Sequence, residues 1–310
     1  MRIAIVGTGL AGLAIGWHML GEGCQIVFFD HRSLGKGASG VAAGLVHPYV
    51  GQKARRNNKA TEGLSHLEEL LTVSENARGS SSIIQRGLIR VAINEEQRIN
   101  LKEASDVEEI AADEFLIHSG TTIDVPLYLQ GLFLACQKRG AIFYSEKVSL
   151  DAPLTDFDHT VFAVGNEWIT SSFAKNMPLK RMKGQVLLLR LSEPLERSRI
   201  VKGYLAKTSD PHVAYLGATY ERRFDDGEPS LEVAHHQLIP RLNQLLPASC
   251  RWEILGCRAG IRLCLEGEAF GKELVNRVDD KCWWLGGLGS KGLLYHAYLA
   301  KKLAYDILCL

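Results

Sequence analysis

The sequence predicts an α/β fold in which a parallel, helix-flanked sheet is joined to a second domain of α+β texture. Three observations carry this prediction. The chain opens on a wholly apolar run, Ile3-Ala4-Ile5-Val6, that passes straight into Gly7-Thr8-Gly9-Leu10-Ala11-Gly12. Apolar runs at Ile26 to Phe29, Ala141 to Tyr144 and Thr160 to Val164 then alternate with helical patterns, the texture of a sheet buried on both faces. From Pro178 onward the pattern changes to strand-like runs separated by polar turns such as Phe224 to Pro229.

The first unit justifies itself residue by residue. Gly7 lets the chain turn sharply out of a strand, Gly9 exposes bare backbone, and Gly12 allows close packing of helix on strand. Leu13 to Leu20 has helical spacing and stops at Gly21, and the next apolar run ends at Asp30, about twenty residues beyond the glycines. Strand, glycine turn, helix, strand and acid in register make a dinucleotide-binding unit. The positive helix end holds a pyrophosphate, and Asp30 accepts hydrogen bonds from a ribose. NAD and FAD both satisfy this unit.

The glycine- and alanine-rich stretch from His31 to Leu45 suits a loop and helix start lying against a ligand. Residues 61–73 read as an amphipathic helix, followed by a polar break from Ser74 to Ser82. Residues 87–93 alternate as a strand, and a helix follows over 95–104. Another helix begins at Ile123-Asp124-Val125-Pro126 and runs to Gly140. In the later part, strands are expected over 185–191 and 212–218, a helix over 231–246, a strand pair within 256–265 and a buried strand at Cys282 to Leu285. This order predicts discontinuous domains, residues 1–80, 118–175 and 255–310 forming the dinucleotide domain and residues 81–117 and 176–254 the substrate domain.

Composition narrows the function classes. The 310 residues are 46% hydrophobic and 23% charged with a net charge of +1, so no global field gathers nucleic acid or acidic membrane. Apolar stretches end well short of a membrane span, and the N-terminus starts on a core strand in place of a cleavable leader, which points to the cytoplasm. Seven cysteines without any C-x-x-C pair suggest reduced thiols, with no disulfide framework and no metal site.

A second glycine turn follows the last strand. Gly287, Gly289 and Gly292 repeat the spacing of the first, and Leu293 to Leu308 continues as a helix. A nicotinamide enzyme needs one such turn, whereas a flavin enzyme gains from a second, whose positive end faces the ring that takes up negative charge. Lys291 either adds a side-chain charge there or is a solvated loop lysine.

The ordered landmarks are the first glycine unit, Gly37 to Leu45, Ile123-Asp124-Val125-Pro126, Phe162 to Gly165, Lys183-Gly184-Gln185, Gly260-Ile261-Arg262 and Gly286 to Gly292. Together they resemble the D-amino-acid oxidase family of FAD-dependent oxidoreductases from end to end of the chain. Gly287 to Leu293 is similar in particular to the family's tRNA wobble-uridine-maturing branch, with the glycine-oxidising branch also near. The resemblance implies a glutathione-reductase-like FAD-binding domain and a C–N bond beside a carboxylate, oxidised by hydride transfer to flavin. It places the adenosine end of FAD on Gly7, Thr8, Gly9, Leu10, Ala11, Gly12, Asp30, His31, Arg32 and Val148. It places the rest of FAD near Ala38, Ser39, Gly40, Ala43, Gly44, Leu45, Ala163, Val164, Gly165, Gly287, Gly289, Ser290, Lys291, Gly292 and Leu293. Two alternatives remain at this stage, an NAD(P)-dependent dehydrogenase and a flavin-binding protein without catalysis.

Arg262 stands where the family often grips a substrate carboxylate. Here it is followed by Leu263 and Cys264, departing from the family's proline, and a structural salt bridge is the competing role. His47, directly after the flavin loop, either tunes a substrate amine or packs with its nitrogens satisfied. Tyr204, Tyr215 and Tyr220 supply hydroxyls to the substrate sheet or serve its core. Lys53, Arg55, Arg56 and Lys59 form a basic run that either touches tRNA or is a solvated loop. A small amino acid or amine is the expected substrate.

Overall fold

The structure is a computed structural model that describes residues 1–265 and 275–309. The chain runs β1 (Arg2–Val6), α1 (Leu10–Gly21), β2 (Gln25–Phe29), α2 (Ala38–Val41), β3 (Leu45–Val46), α3 (Ala60–Arg78) and β4 (Ile83–Val91). It continues through α4 (Glu95–Lys102), β5 (Val107–Ala111), β6 (Glu114–Ile123), α5 (Val125–Lys138), β7 (Ile142–Tyr144) and β8 (His159–Phe162). Then come β9 (Leu179–Leu191), β10 (Arg199–Ile200), β11 (Tyr204–Lys207), β12 (Val213–Gly217) and α6 (Leu231–Leu238), and finally β13 (Trp252–Leu265), β14 (Val275–Arg277), β15 (Cys282–Leu285) and α7 (Gly292–Leu308).

Six strands make the first sheet in the order β14-β15-β8-β1-β2-β7. All its pairings are parallel except β14 with β15 at the edge. Ile3, Ile5, Ile26 and Phe28 point to one face, into the large core shared with α1, α3, α5 and α7. Ala4, Val27 and Phe29, with Val6, Phe162 and Trp284, fill clusters on the other face. Both faces are therefore dry, which is why these strands read as continuous apolar runs.

The second sheet is mixed and runs β13-β9-β12-β11-β10-β4-β6-β3, with β5 paired to β6. Leu187, Leu189, Leu205 and Leu216 pack there against Ala234 and Leu238 of α6. The extended partnership of β13 with β9 runs from Trp252↔Leu191 to Leu265↔Leu179 and carries one face of the site.

Several elements depart from expectation. Helix α3 continues to Arg78 through the expected polar break, because Ser74 is buried and its hydroxyl donates to the Tyr128 carbonyl. The expected helix over 231–246 ends at Leu238 and becomes a 3₁₀ turn over Ile239–Gln244, where Pro240 removes a helical amide. The expected strand pair within 256–265 is a single strand. The expected boundaries at residues 118 and 255 cut through β6 and β13, both of which lie wholly in the second sheet. The part of the expected 255–310 segment that covers 266–274 lies outside the described residues.

Candidate active site

The glycine turn between β1 and α1 is built by close approach. Gly7 takes φ +105°, which favours glycine, and a Cβ on Gly12 would lie 1.9 Å from the Gly7 carbonyl oxygen. Asp30 locks this turn from the next strand. Its Oδ2 accepts from the Thr8 amide at 2.9 Å and the Thr8 hydroxyl at 3.0 Å, while Oδ1 accepts from the Arg32 amide at 3.0 Å. Arg32 reaches Glu167 at 3.2 Å, and His31 lies 3.6 Å from the same carboxylate.

Asp30 sits at the head of a run of connected clefts. One carries Asp30, His31, Arg32, Val148 and Val164, and the next carries Gly7, Thr8, Gly9, Arg32, Ala38 and Ser39. The third is lined by Gly9, Leu10, Ala11, Ala38, Ser39, Ala43, Gly44, Leu45, Ala163, Gly165, Gly287, Gly289, Ser290, Gly292 and Leu293. The two glycine turns from opposite ends of the chain thus meet along one elongated depression. Gly12, Gly40 and Lys291 are not among its lining residues; Gly12 and Gly40 instead face the carbonyls of Gly7 and Gly35 at distances that only glycine allows. Burial lowers the pKa of Lys291.

The helix ends supply the anion-binding chemistry. Helices α1, α2 and α7 begin at the depression, and none has a side-chain cap or an acid in its first turn. The remaining helices each have one or the other: Glu62 in α3, Asn94 before α4, Asp124 before α5 and Ser230 before α6. Uncapped amides and positive helix ends are what an elongated, doubly phosphorylated ligand requires. The residues present therefore fit a dinucleotide whose two ends both meet helix N-termini.

At the far end stands Arg262, on β13. A Cβ on Gly184 of the paired strand would lie 2.7 Å from its Nη2, so the missing side chain leaves room for the guanidinium. Tyr220 covers it from outside, with Cζ 5.5 Å from the ring centroid. Nη2 is buried and has no hydrogen-bond partner among the described residues. Arg262 also lines the third cleft, and a guanidinium with an unsatisfied nitrogen suits an oxyanion. Tyr204 lines the same cavity. Its phenol is pushed up to about 12 by burial, against the opposing pull of Arg262.

Other candidates lie elsewhere. His47 is buried outside the cavity, and its Nδ1 accepts from the Tyr49 amide at 3.3 Å. Burial and then the nearby Arg90 lower its pKa to about 3. Tyr215 accepts from Arg258 at 3.0 Å. Each cation of the basic run meets a carboxylate: Lys53 and Arg55 share Glu96, Arg56 meets Asp106 and Lys59 meets Glu62. Sequence reasoning missed Asn166, Val186 and Ala218 of the lining. Asn166 directly follows the expected Gly165, but nothing local marks Val186 or Ala218, which the sheet register brings in.

A cleft of this shape, fed by three helix N-termini, defines a dinucleotide-binding protein. The family model described as DAO, FAD dependent oxidoreductase, matches residues 2–306, and the chain belongs to this family. Its cofactor is FAD. The tRNA 5-methylaminomethyl-2-thiouridine biosynthesis bifunctional protein of Campylobacter jejuni subsp. jejuni is 24% identical over 280 residues, which cover 84% of this chain. The chain spans only 44% of that relative's length. Among solved structures, iminodiacetate oxidase from Chelativorans sp. BNC1 superposes with a TM-score of 0.80 at 17% identity, over 99% of this chain and 95% of that one. Glycine oxidase from Geobacillus kaustophilus gives 0.76 at 20% identity, over 98% and 94%. These structural likenesses establish the fold. No helix among the described residues is long and apolar enough to cross a membrane.

Proposed function

We propose that the chain oxidises the C–N bond of a small amino acid or secondary amine carboxylate. The observation that carries this reading is Arg262 in the cavity wall, whose buried Nη2 has no partner among the described residues. The relatives' printed names, which include glycine and iminodiacetate oxidases, support an amine carboxylate.

In this reading Gly7 to Ala11, Asp30 and Val148 hold the adenosine half of FAD, and Ser39, Gly44, Leu45, Gly289, Ser290, Gly292 and Leu293 hold the flavin half. FAD supplies the hydride acceptor that turns the amine into an imine, which water then hydrolyses. Arg262 takes the carboxylate and fixes its orientation, and the Tyr204 hydroxyl stands beside it. Gly184, Val186, Ala218, Ile261 and Leu263 form an apolar wall that thins the water around the reacting carbon.

Tyr204 and Arg262 are the only ionisable side chains among the described residues lining this cavity. Burial holds the Tyr204 phenol protonated at neutral pH. The substrate amine must therefore arrive deprotonated, and the protein contributes orientation more than proton transfer.

Product analysis tests the proposal. Incubation with glycine, sarcosine, iminodiacetate, proline and D-amino acids should release a carbonyl compound and an equivalent of ammonia or amine from at least one of them. Absence of turnover on the whole panel, in protein that holds FAD, would favour a non-catalytic flavoprotein. Colourless protein that binds NADH would favour the nicotinamide alternative.

A further inference from the structure

Two walls of the flavin end come from distant parts of the chain. One is Gly44 and Leu45 with β3, and the other is Gly292 and Leu293 at the start of α7. A chain of hydrogen bonds and short covalent links joins them behind the cavity. The Ile123 amide donates to the Gly44 carbonyl at 3.0 Å, and Leu45 pairs with Thr122 in the sheet. Asp124 follows Ile123 and caps α5 by accepting from the Leu127 amide at 3.0 Å. One helical turn on, the Tyr128 amide donates to the Asp124 carbonyl at 2.9 Å. The Tyr128 hydroxyl lies 2.8 Å from His296 Nε2, and His296 Nδ1 lies 3.0 Å from the Gly292 carbonyl and 3.1 Å from that of Leu293.

The geometry fixes the roles. Nδ1 faces two carbonyl oxygens, which only accept, so it carries the proton. Nε2 is then an acceptor, and the Tyr128 hydroxyl donates to it. Tyr128 and His296 are both fully buried, with rings edge to face at 5.7 Å and 75°. Burial lowers the imidazole to a pKa of about 4, which keeps this neutral tautomer across the physiological range. Neither side chain is reached by solvent, and neither residue lines the cavity. Ser74 of α3 fixes Tyr128 from behind by donating to its carbonyl at 3.2 Å.

We propose that Tyr128 and His296 are positioning residues that set the spacing between the Gly44 wall and the first turn of α7, and so hold the flavin end of the site ready for FAD. Simple core packing makes a different demand on the pair. Packing is satisfied by any two side chains of the right volume, whereas positioning needs the directed Tyr128 to His296 to Gly292 link.

The test uses Tyr128→Phe, His296→Leu and the double variant, each prepared as apoprotein and titrated with FAD. Tyr128→Phe keeps the ring and removes one oxygen, so it should fold. Each single variant strands one buried partner, which should lower apoprotein Tm, raise the Kd for FAD by about tenfold and shift the visible band of the bound flavin. The double variant removes both partners, so apoprotein Tm should recover towards wild type. Under the proposal its Kd for FAD stays about tenfold raised and its visible flavin band stays shifted. Two results would overturn the proposal: FAD affinity and flavin spectrum unchanged in the single variants, or both recovering together with Tm in the double variant.

Discussion

Replacing Arg262 by leucine separates two roles that its position allows, and the structure sets the size of each. Truncating one partner of a buried charge pair costs about 2–5 kcal/mol. Arg262 is only partly buried, so the lower end applies, and about 2 kcal/mol at about 1.4 kcal/mol per tenfold is a rise of about 30-fold in KM for a carboxylate substrate. FAD content should be unchanged, because Arg262 lines neither of the two clefts that carry Asp30. Stability carries the sharper sign. A structural ion pair lost to leucine would destabilise the fold, but Arg262 has no ion-pair partner among the described residues and its Nη2 is unsatisfied. Removing an unsatisfied buried group relieves about 1–3 kcal/mol of desolvation cost, offset by up to about 1 kcal/mol from the lost Tyr220 stacking. Substrate-free Tm should therefore hold or rise slightly. Steady-state kinetics on the best substrate and a thermal melt of the FAD-loaded protein decide it. Unchanged KM, or a clear fall in Tm, refutes the assignment of Arg262 to substrate.

Other expectations follow from the same geometry. Gly12→Ala places a Cβ within 1.9 Å of the Gly7 carbonyl, so the turn must open; strain of about 1–3 kcal/mol and loss of bound FAD should show as lower Tm and a lower flavin-to-protein absorbance ratio. The pH dependence of kcat/KM should rise with the deprotonation of the substrate amine and shift when substrates of different amine pKa are compared; a limb that stays fixed across substrates would mean an enzyme base. His47 is held at a pKa of about 3 against an ordinary 6.5, so the unfolded chain binds a proton that the folded one refuses. Stability should therefore fall as pH drops from about 6.5 towards 3, and His47→Asn should make melting less acid-sensitive by about 1.4 kcal/mol per pH unit. Arg55→Gln with Arg56→Gln should leave tRNA mobility in a gel shift unchanged, since both cations are already engaged by Glu96 and Asp106.

What was legible in the sequence was whatever local chemistry dictates. The first glycine unit could be read because a sharp turn, a bare backbone approach and a tight helix contact each demand glycine at a fixed spacing, and Asp30 closes the same turn. The start of α5 was readable through Ile123-Asp124-Val125-Pro126 before an apolar run; that Asp124 caps the helix by accepting from the Leu127 amide is a finding of the structure. Long-range register was not readable. Strands β5, β10 and β11 were missed because β10 and β11 are two and four residues long and β5 is mostly exposed, so none of the three carries a sustained period. The same limit hid Val186 and Ala218, which reach the cavity only through pairing of β9, β12 and β13. It also left Arg262 ambiguous, since an orphaned nitrogen is a fact of three-dimensional surroundings. The Lys53 to Lys59 run looked like a patch because its partners Glu96 and Asp106 are distant in sequence.

Anaerobic mixing of the purified yellow protein with an amine carboxylate, compared with the amide of the same amine, tests the central claim most directly. The visible flavin band should bleach with the carboxylate and persist with the amide, because the amide gives Arg262 no anion to hold. Equal bleaching by both, or bleaching by neither across the panel, would contradict the account.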